Sequence, residues 1–186
     1  MNLVKKINSL SKLSEEAAIW IEKNKEEMSF KKNETILELQ QTCQYLYYLK
    51  SGMVCGYYLQ NGEEVCSWIA SEGEFATSYY SFISRKQSYE SIIAIEDCLV
   101  EAINYKTLHE MYEKFHETER AGRLLLEDYY ARLEERLISL QYNSSKERYE
   151  ILCQNRPHLI LRAPLGRIAS YLGMKQETLS RIRSGK

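Results

Sequence analysis

The period of this sequence changes near residue 105, and that change restricts the chain to a mixed architecture. From Phe30 to Ile103, short runs rich in β-branched and aromatic residues alternate with turn residues. They are Thr35–Leu39, Tyr45–Leu49, Val54–Leu59, Glu64–Ile69 and Ser91–Ile103, the last broken at Glu96-Asp97. These predict strands. Ser51-Gly52 and Asn61-Gly62 punctuate them, and Asn-Gly suits a two-residue hairpin because both of its positions take positive φ. From Lys106 to Leu140 there is no proline and Gly122 is the one glycine, a pattern for helix. The first thirty residues also read as helical: Leu13, Ala17, Trp20 and Ile21 recur at helical spacing, and Ser14 with Glu15 and Glu16 supplies an N-cap and acidic first turn. The expected fold class is α+β.

Within the long helical stretch, Leu126, Tyr130, Leu133, Leu137 and Leu140 follow at alternating steps of four and three, flanked by charges. That is the spacing of a coiled-coil seam. Such a stripe can join two copies of the chain or pack on the β-domain, and we read it as a homodimer interface. Asn143-Ser144-Ser145 then interrupts the pattern and makes a hinge. The chain divides accordingly into a strand-rich segment with its N-terminal helix, 1–105, a long helix, 106–143, and a terminal module, 146–186.

Hydrophobic residues at 44% and charged residues at 27% describe a folded chain rather than a disordered one. No apolar run reaches the length of a bilayer, and none follows Lys5-Lys6, so a cytoplasmic protein without membrane contact is expected. Cys43, Cys55, Cys66, Cys98 and Cys153 are scattered and never spaced as C-x-x-C, so they read as buried free thiols. His109, His116 and His158 form no helical i, i+4 pair and read as surface or capping residues. The expected strands hold no histidine, which argues against a metal enzyme on a β-roll, and no nucleophile–base pair stands out. Neither catalysis, a metal nor a cofactor is expected.

The net charge of −1 hides an asymmetry. From residue 146 onward the basic residues are Lys146, Arg148, Arg156, Arg162, Arg167, Lys175, Arg181, Arg183 and Lys186, against Glu147, Glu150 and Glu177. A basic terminal module on an acidic body fits a chain that touches DNA at one end. Within that module, Leu165 to Arg183 reads as two short helices joined by a tight turn. Ala169 allows their close crossing and Gly173 supplies the left-handed turn, with Pro164 in the first turn of the first helix. Ile168, Leu172, Met174, Leu179 and Ile182 face inward, while Lys175, Gln176, Glu177, Ser180, Arg181 and Arg183 face outward with groups able to bond bases or phosphates.

In this order of elements, and in Ile168-Ala-Ser-Tyr-Leu-Gly-Met-Lys-Gln-Glu-Thr-Leu-Ser-Arg-Ile-Arg183, the chain resembles the Crp/Fnr family of bacterial transcription regulators. Leu49-Lys-Ser-Gly-Met-Val54, Gly73-Glu74 and Arg132-Leu-Glu-Glu-Arg-Leu137 support the likeness. The resemblance implies a cyclic-nucleotide-binding-like β-roll, a dimerisation helix and a helix-turn-helix. It implies that Gln176, Glu177 and Arg181 read bases in the major groove, with Lys175, Thr178 and Ser180 nearer the phosphates. Double-stranded DNA bearing a near-palindromic operator would be the partner, with RNA polymerase a further candidate.

Two departures qualify the likeness. Cyclic-nucleotide binders of the family follow Gly-Glu with an Arg-Ser that grips the phosphate, whereas the stretch here is Gln87-Ser88-Tyr89-Glu90. The implied pocket, Gly73, Glu74, Ser88 and Tyr89, is therefore degenerate, Glu90 adds repulsion, and Arg85 is poorly placed to substitute. An unknown small-molecule effector rather than cyclic AMP is expected. Tyr57, Tyr58, Tyr79, Tyr80 and Tyr89 either line an aromatic site for an uncharged ligand or fill a core, and the filled core is preferred. The second departure is that Ser184-Gly185-Lys186 leave no room for a β-hairpin wing after the second helix. An alternative reading is a ligand-binding or protein-interaction module with a vestigial helix-turn-helix, which would shed polar residues from that helix; the sequence keeps them.

Overall fold

The structure is a computed structural model that describes residues 1–185; Lys186, counted above among the basic residues, lies outside the described residues. The chain opens with α1 (Leu3–Leu10) and α2 (Glu15–Asn24), each begun by a side-chain cap: Asn2 accepts from Lys5 N–H, and Ser14 from Ala17 N–H. Helix does not fill the first thirty residues, because Glu26–Phe30 forms strand β1 along β8. The remaining strands are β2 (Thr35–Leu37), β3 (Tyr45–Ser51), β4 (Val54–Gln60), β5 (Glu63–Ala70), β6 (Phe75–Ala76), β7 (Ser91–Ala94) and β8 (Cys98–Asn104). The short helix α3 (Tyr79–Ser84) interrupts them.

The strands form two antiparallel four-stranded sheets, ordered β1-β8-β3-β6 and β2-β7-β4-β5. Asn61 and Gly62, at φ +54° and +84°, turn β4 into β5 with Gln60 opposite Glu63, the two-residue hairpin that Asn-Gly favours. Between the sheets lies a core that includes Tyr48, Leu49, Val54, Ile92 and Val100. Glu101 is buried on β8, where it accepts from Leu3 N–H and pairs with Lys25 Nζ at 2.6 Å. Burial opposes its ionisation, but these two bonds more than offset that and leave its carboxyl below the usual range.

The helical stretch after the β-roll is two helices rather than one: α4 (Tyr105–Lys114) and α5 (His116–Tyr142). They part at Phe115, whose buried ring packs on Trp20 and whose extended backbone breaks the helical path. No breaker residue announces this, so tertiary packing overrides local propensity here. Along α5, Tyr130 is 66% exposed and Leu137 55%, and Leu126, Leu133 and Leu140 are also exposed; the seam does not pack on the β-roll.

At the expected hinge, Asn143 ends α5 and Ser144 begins α6 (Ser145–Asn155) with a capping box to Glu147. Then come α7 (Pro157–Arg162), α8 (Leu165–Tyr171) and α9 (Gln176–Ser184). Pro164 is the cap residue ahead of α8, not part of its first turn. No helix is long and apolar enough to cross a membrane.

Candidate functional site

Three places merit description: the outer face of α9, the seam between the terminal helices and β5, and a cleft beside α5. In the first, α8 and α9 meet across a turn of residues 172–175 in which Gly173 holds φ +65°. Ile168, Ala169, Leu172 and Leu179 are buried between them, while Met174 and Ile182 are half-buried. Lys175, Gln176, Glu177, Ser180, Arg181 and Arg183 are exposed, and Thr178 is half-buried. Lys175, Arg181 and Arg183 make no ion pair among the described residues.

The other arginines of the terminal module are not directed outward. Arg156 reaches Glu74 and the Ile69 carbonyl, Arg162 reaches Glu72 and Glu96, and Arg167 pairs with Glu64 while its guanidinium lies 4.8 Å from the Tyr57 ring centre. Arg148 donates to the carbonyls of Leu172, within its own module, and of Asn143 at the end of α5. Much of the charge asymmetry of the sequence therefore holds the terminal helices to the β-roll. Beneath those ion pairs is an apolar seam in which Ile69 and Ile95 pack with Leu152, Leu159 and Ile168. Ser170 Oγ accepts from Cys66 N–H at 2.8 Å, so α8 completes an edge bond of β5. His158, expected at the surface or in a cap, is half-buried in this seam with Nε2 at 3.0 Å from Ser71 Oγ. Arg167 and Ser170, three residues apart on one helical face, were the available sequence signal for this docking.

The cleft has a volume of about 650 Å³ and lies between β5–β6, α5 and the terminal helices. Trp68, Phe75, Tyr79, Tyr80 and Tyr129 supply its aromatic wall, with Tyr79 stacked on Tyr129 at 4.1 Å between ring centres. Tyr79 and Tyr80 thus border open space and do not fill a core. Tyr57 packs under Arg167, and Tyr58 and Tyr89 are exposed.

Of Gly73, Glu74, Ser88 and Tyr89, the structure brings only Glu74 to the cleft wall. Gly73 sits in the preceding turn at φ +85°. Ser88 is buried, bonding Ser78 Oγ and the Glu90 carbonyl, and Tyr89 points outward against Tyr80. Glu90 is the residue that faces the cleft: Trp68 Nε1 donates to its Oε2 at 2.8 Å and Ser67 Oγ lies 3.0 Å away. Burial raises its carboxyl above the usual range despite these donors. Arg85 is held elsewhere, capping α3 and donating to the carbonyls of Cys43 and Phe82.

Residues 27–115 match the family model of the cyclic nucleotide-binding domain. Among solved structures, FixK2 from Bradyrhizobium japonicum superposes with a TM-score of 0.75 at 21% identity, over 87% of this chain and 83% of that one. A CooA variant from Carboxydothermus hydrogenoformans gives 0.74 at 18%, over 100% and 84%. A Crp/Fnr-family chain from Eubacterium rectale gives 0.71 at 18%, over 93% and 83%. This is the fold of the Crp/Fnr regulators. No curated protein sequence matches the chain. The matched residues cover the β-roll, whereas α5 and the terminal helices complete the cleft, whose wall carries three glutamates, Glu90 among them, and four arginines.

Proposed function

We propose that the chain is a dimeric, sequence-specific DNA-binding transcription regulator of the Crp/Fnr type, controlled by an effector other than cyclic AMP. The observation that carries this reading is the pair α8–α9. The two helices share a buried apolar contact, turn through a left-handed Gly173, and leave Lys175, Gln176, Glu177, Ser180, Arg181 and Arg183 exposed on the second. A helix of that kind fits the major groove with its polar face toward base edges. The exposed seam of α5 supports a two-fold dimer, and a two-fold dimer calls for a two-fold operator. The carboxyl of Glu90 on the cleft wall, with Arg85 bonded to main-chain carbonyls elsewhere, supports an effector other than cyclic AMP.

Selection of bound sequences from random duplexes tests the reading. The expected result is a near-palindrome whose half-sites lie about one helical turn apart, roughly 34 Å centre to centre. Enrichment of no palindrome would return the chain to the class of ligand-binding or protein-interaction modules.

A further inference from the structure

Cys55 on β4 and Cys66 on β5 are the one pair of thiols in contact among the described residues, with Sγ atoms 3.3 Å apart. They are not directly opposed in the sheet. Cys55 faces Ile69 and Cys66 faces Tyr57, and the register shifts between Gly56 and Tyr57. That bulge brings the two sulfurs together on one face of the hairpin. Both are enclosed, at 0% and 1% exposure, and they belong to the apolar seam where α8 rests on β5. The main-chain N–H of Cys66 is the donor to Ser170 Oγ of α8.

We propose that Cys55 and Cys66 form a reversible disulfide when oxidised by a hydroperoxide, and that its closure loosens α8 from β5. The steps balance. The Cys55 thiolate attacks one peroxide oxygen, an S–O bond forms as the O–O bond breaks, and the departing hydroxide takes the thiol's proton to become water. The Cys66 sulfur then attacks Cys55 Sγ, the S–S bond forms, and hydroxide leaves with the Cys66 proton as a second water. Two thiols lose two electrons and the peroxide gains them.

The surroundings assign the roles. The contact with the Cys66 sulfur, in which either thiol can donate, and the field of the Arg167 guanidinium together hold the Cys55 thiol below its usual range against the opposing effect of burial. Cys66 is pushed the other way by the same bond and by burial. Cys55 is therefore the attacking thiol and Cys66 the resolving one. Cys43 and Cys98 bond only oxygen atoms and have no such partner.

Closing from 3.3 Å to the roughly 2 Å of a disulfide draws β4 and β5 together at the bulge, and it moves the residue that bonds Ser170. Because the sulfurs lie beneath the docked helix, they react in the fraction of molecules whose terminal helices have lifted. By linkage, a disulfide that disfavours docking is itself favoured by undocking. Oxidation would therefore report on, and reset, the position of the terminal helices.

The test uses the full chain with hydrogen peroxide as the probe. Glu63 and Glu64 lie between the two cysteines, so after alkylation, cleavage at glutamate leaves peptides joined through the disulfide. The expected result is a Cys55–Cys66 cross-link, reversed by dithiothreitol, with amide exchange across Leu165–Tyr171 rising several-fold in the oxidised protein alone. Cys55→Ala should show neither change; if that variant does not fold, the reduced and oxidised wild type still give the comparison without substitution. The proposal is overturned if both thiols remain alkylatable after denaturation, if another cysteine is the linked partner, or if the disulfide forms while exchange in α8 is unchanged.

Discussion

Arg162 holds Glu72 through both terminal nitrogens, Nη1 to Oε2 at 2.9 Å and Nη2 to Oε1 at 2.6 Å. The same guanidinium donates from Nε to Glu96 Oε1 at 3.0 Å, and Gly52 N–H donates to Glu72. These bonds, the Arg162 one foremost, hold the Glu72 carboxyl at about 2. Since the folded value lies below the ordinary 4.5, the stabilisation is present above about 4.5 and is lost as pH falls toward about 2. Arg162→Ala should cost on the order of 1 kcal/mol near neutral pH, a modest figure because both side chains remain about a third exposed. Urea denaturation near pH 7 and again near pH 2 checks this. The difference between wild type and variant should shrink in acid, and a difference that stays constant would separate Arg162 from the Glu72 titration.

Leu133 and Leu137 stand exposed on α5, one helical turn apart. Replacing both with Glu would set like charges against each other in the seam of a two-fold dimer. Sedimentation at micromolar concentration should give dimers for wild type and monomers for the double variant, with circular dichroism unchanged. A monomeric wild type would remove the seam from the proposal.

Arg181 and Lys175 lie at different places on the terminal pair: Arg181 well inside α9, Lys175 at its cap. The planar fork of arginine can donate to O6 and N7 of guanine together, so Arg181→Ala should cost roughly 1–3 kcal/mol at one base position and flatten the preference there. Lys175→Ala should instead weaken binding to all sequences alike and shallow the salt dependence. Selection profiles and salt titrations of the two variants distinguish these outcomes. An unchanged motif from Arg181→Ala would show that this face does not read bases.

Cyclic AMP at millimolar concentration should leave the melting temperature unchanged. A ligand far above its dissociation constant must raise it. The carboxylate of Glu90 faces the cleft, and Arg85 is bonded to main-chain carbonyls elsewhere. A rise of several degrees would mean that Arg132, Arg136 or another cation of the cleft wall takes the phosphate.

Elements whose signal is local were readable from the chain: the Asn61-Gly62 hairpin, the Ser14 cap, the break at Asn143 and the left-handed turn at Gly173. Each depends on a residue whose backbone or side chain favours one conformation by itself. The break at Phe115 was not readable, because a ring buried against Trp20 decides it. Nor were the roles of Arg156, Arg162 and Arg167, since a basic residue looks the same whether it faces DNA or a glutamate some ninety positions earlier. The cleft shows the same limit. The resemblance pointed to Ser88 and Tyr89, while it is their neighbour Glu90, in the bend before β7, that bonds Ser67 and Trp68 and faces the opening.

Gly56 has no side chain, and the indole of Trp68 occupies the place a Cβ would take, within 2.3 Å of its Nε1. That nitrogen is the one donating to Glu90. A methyl group at residue 56 would push the indole aside, withdraw a donor from the carboxylate and tip it further toward its neutral form. The ionisation of Glu90 is thus set through a tryptophan, by a glycine that does not border the cleft.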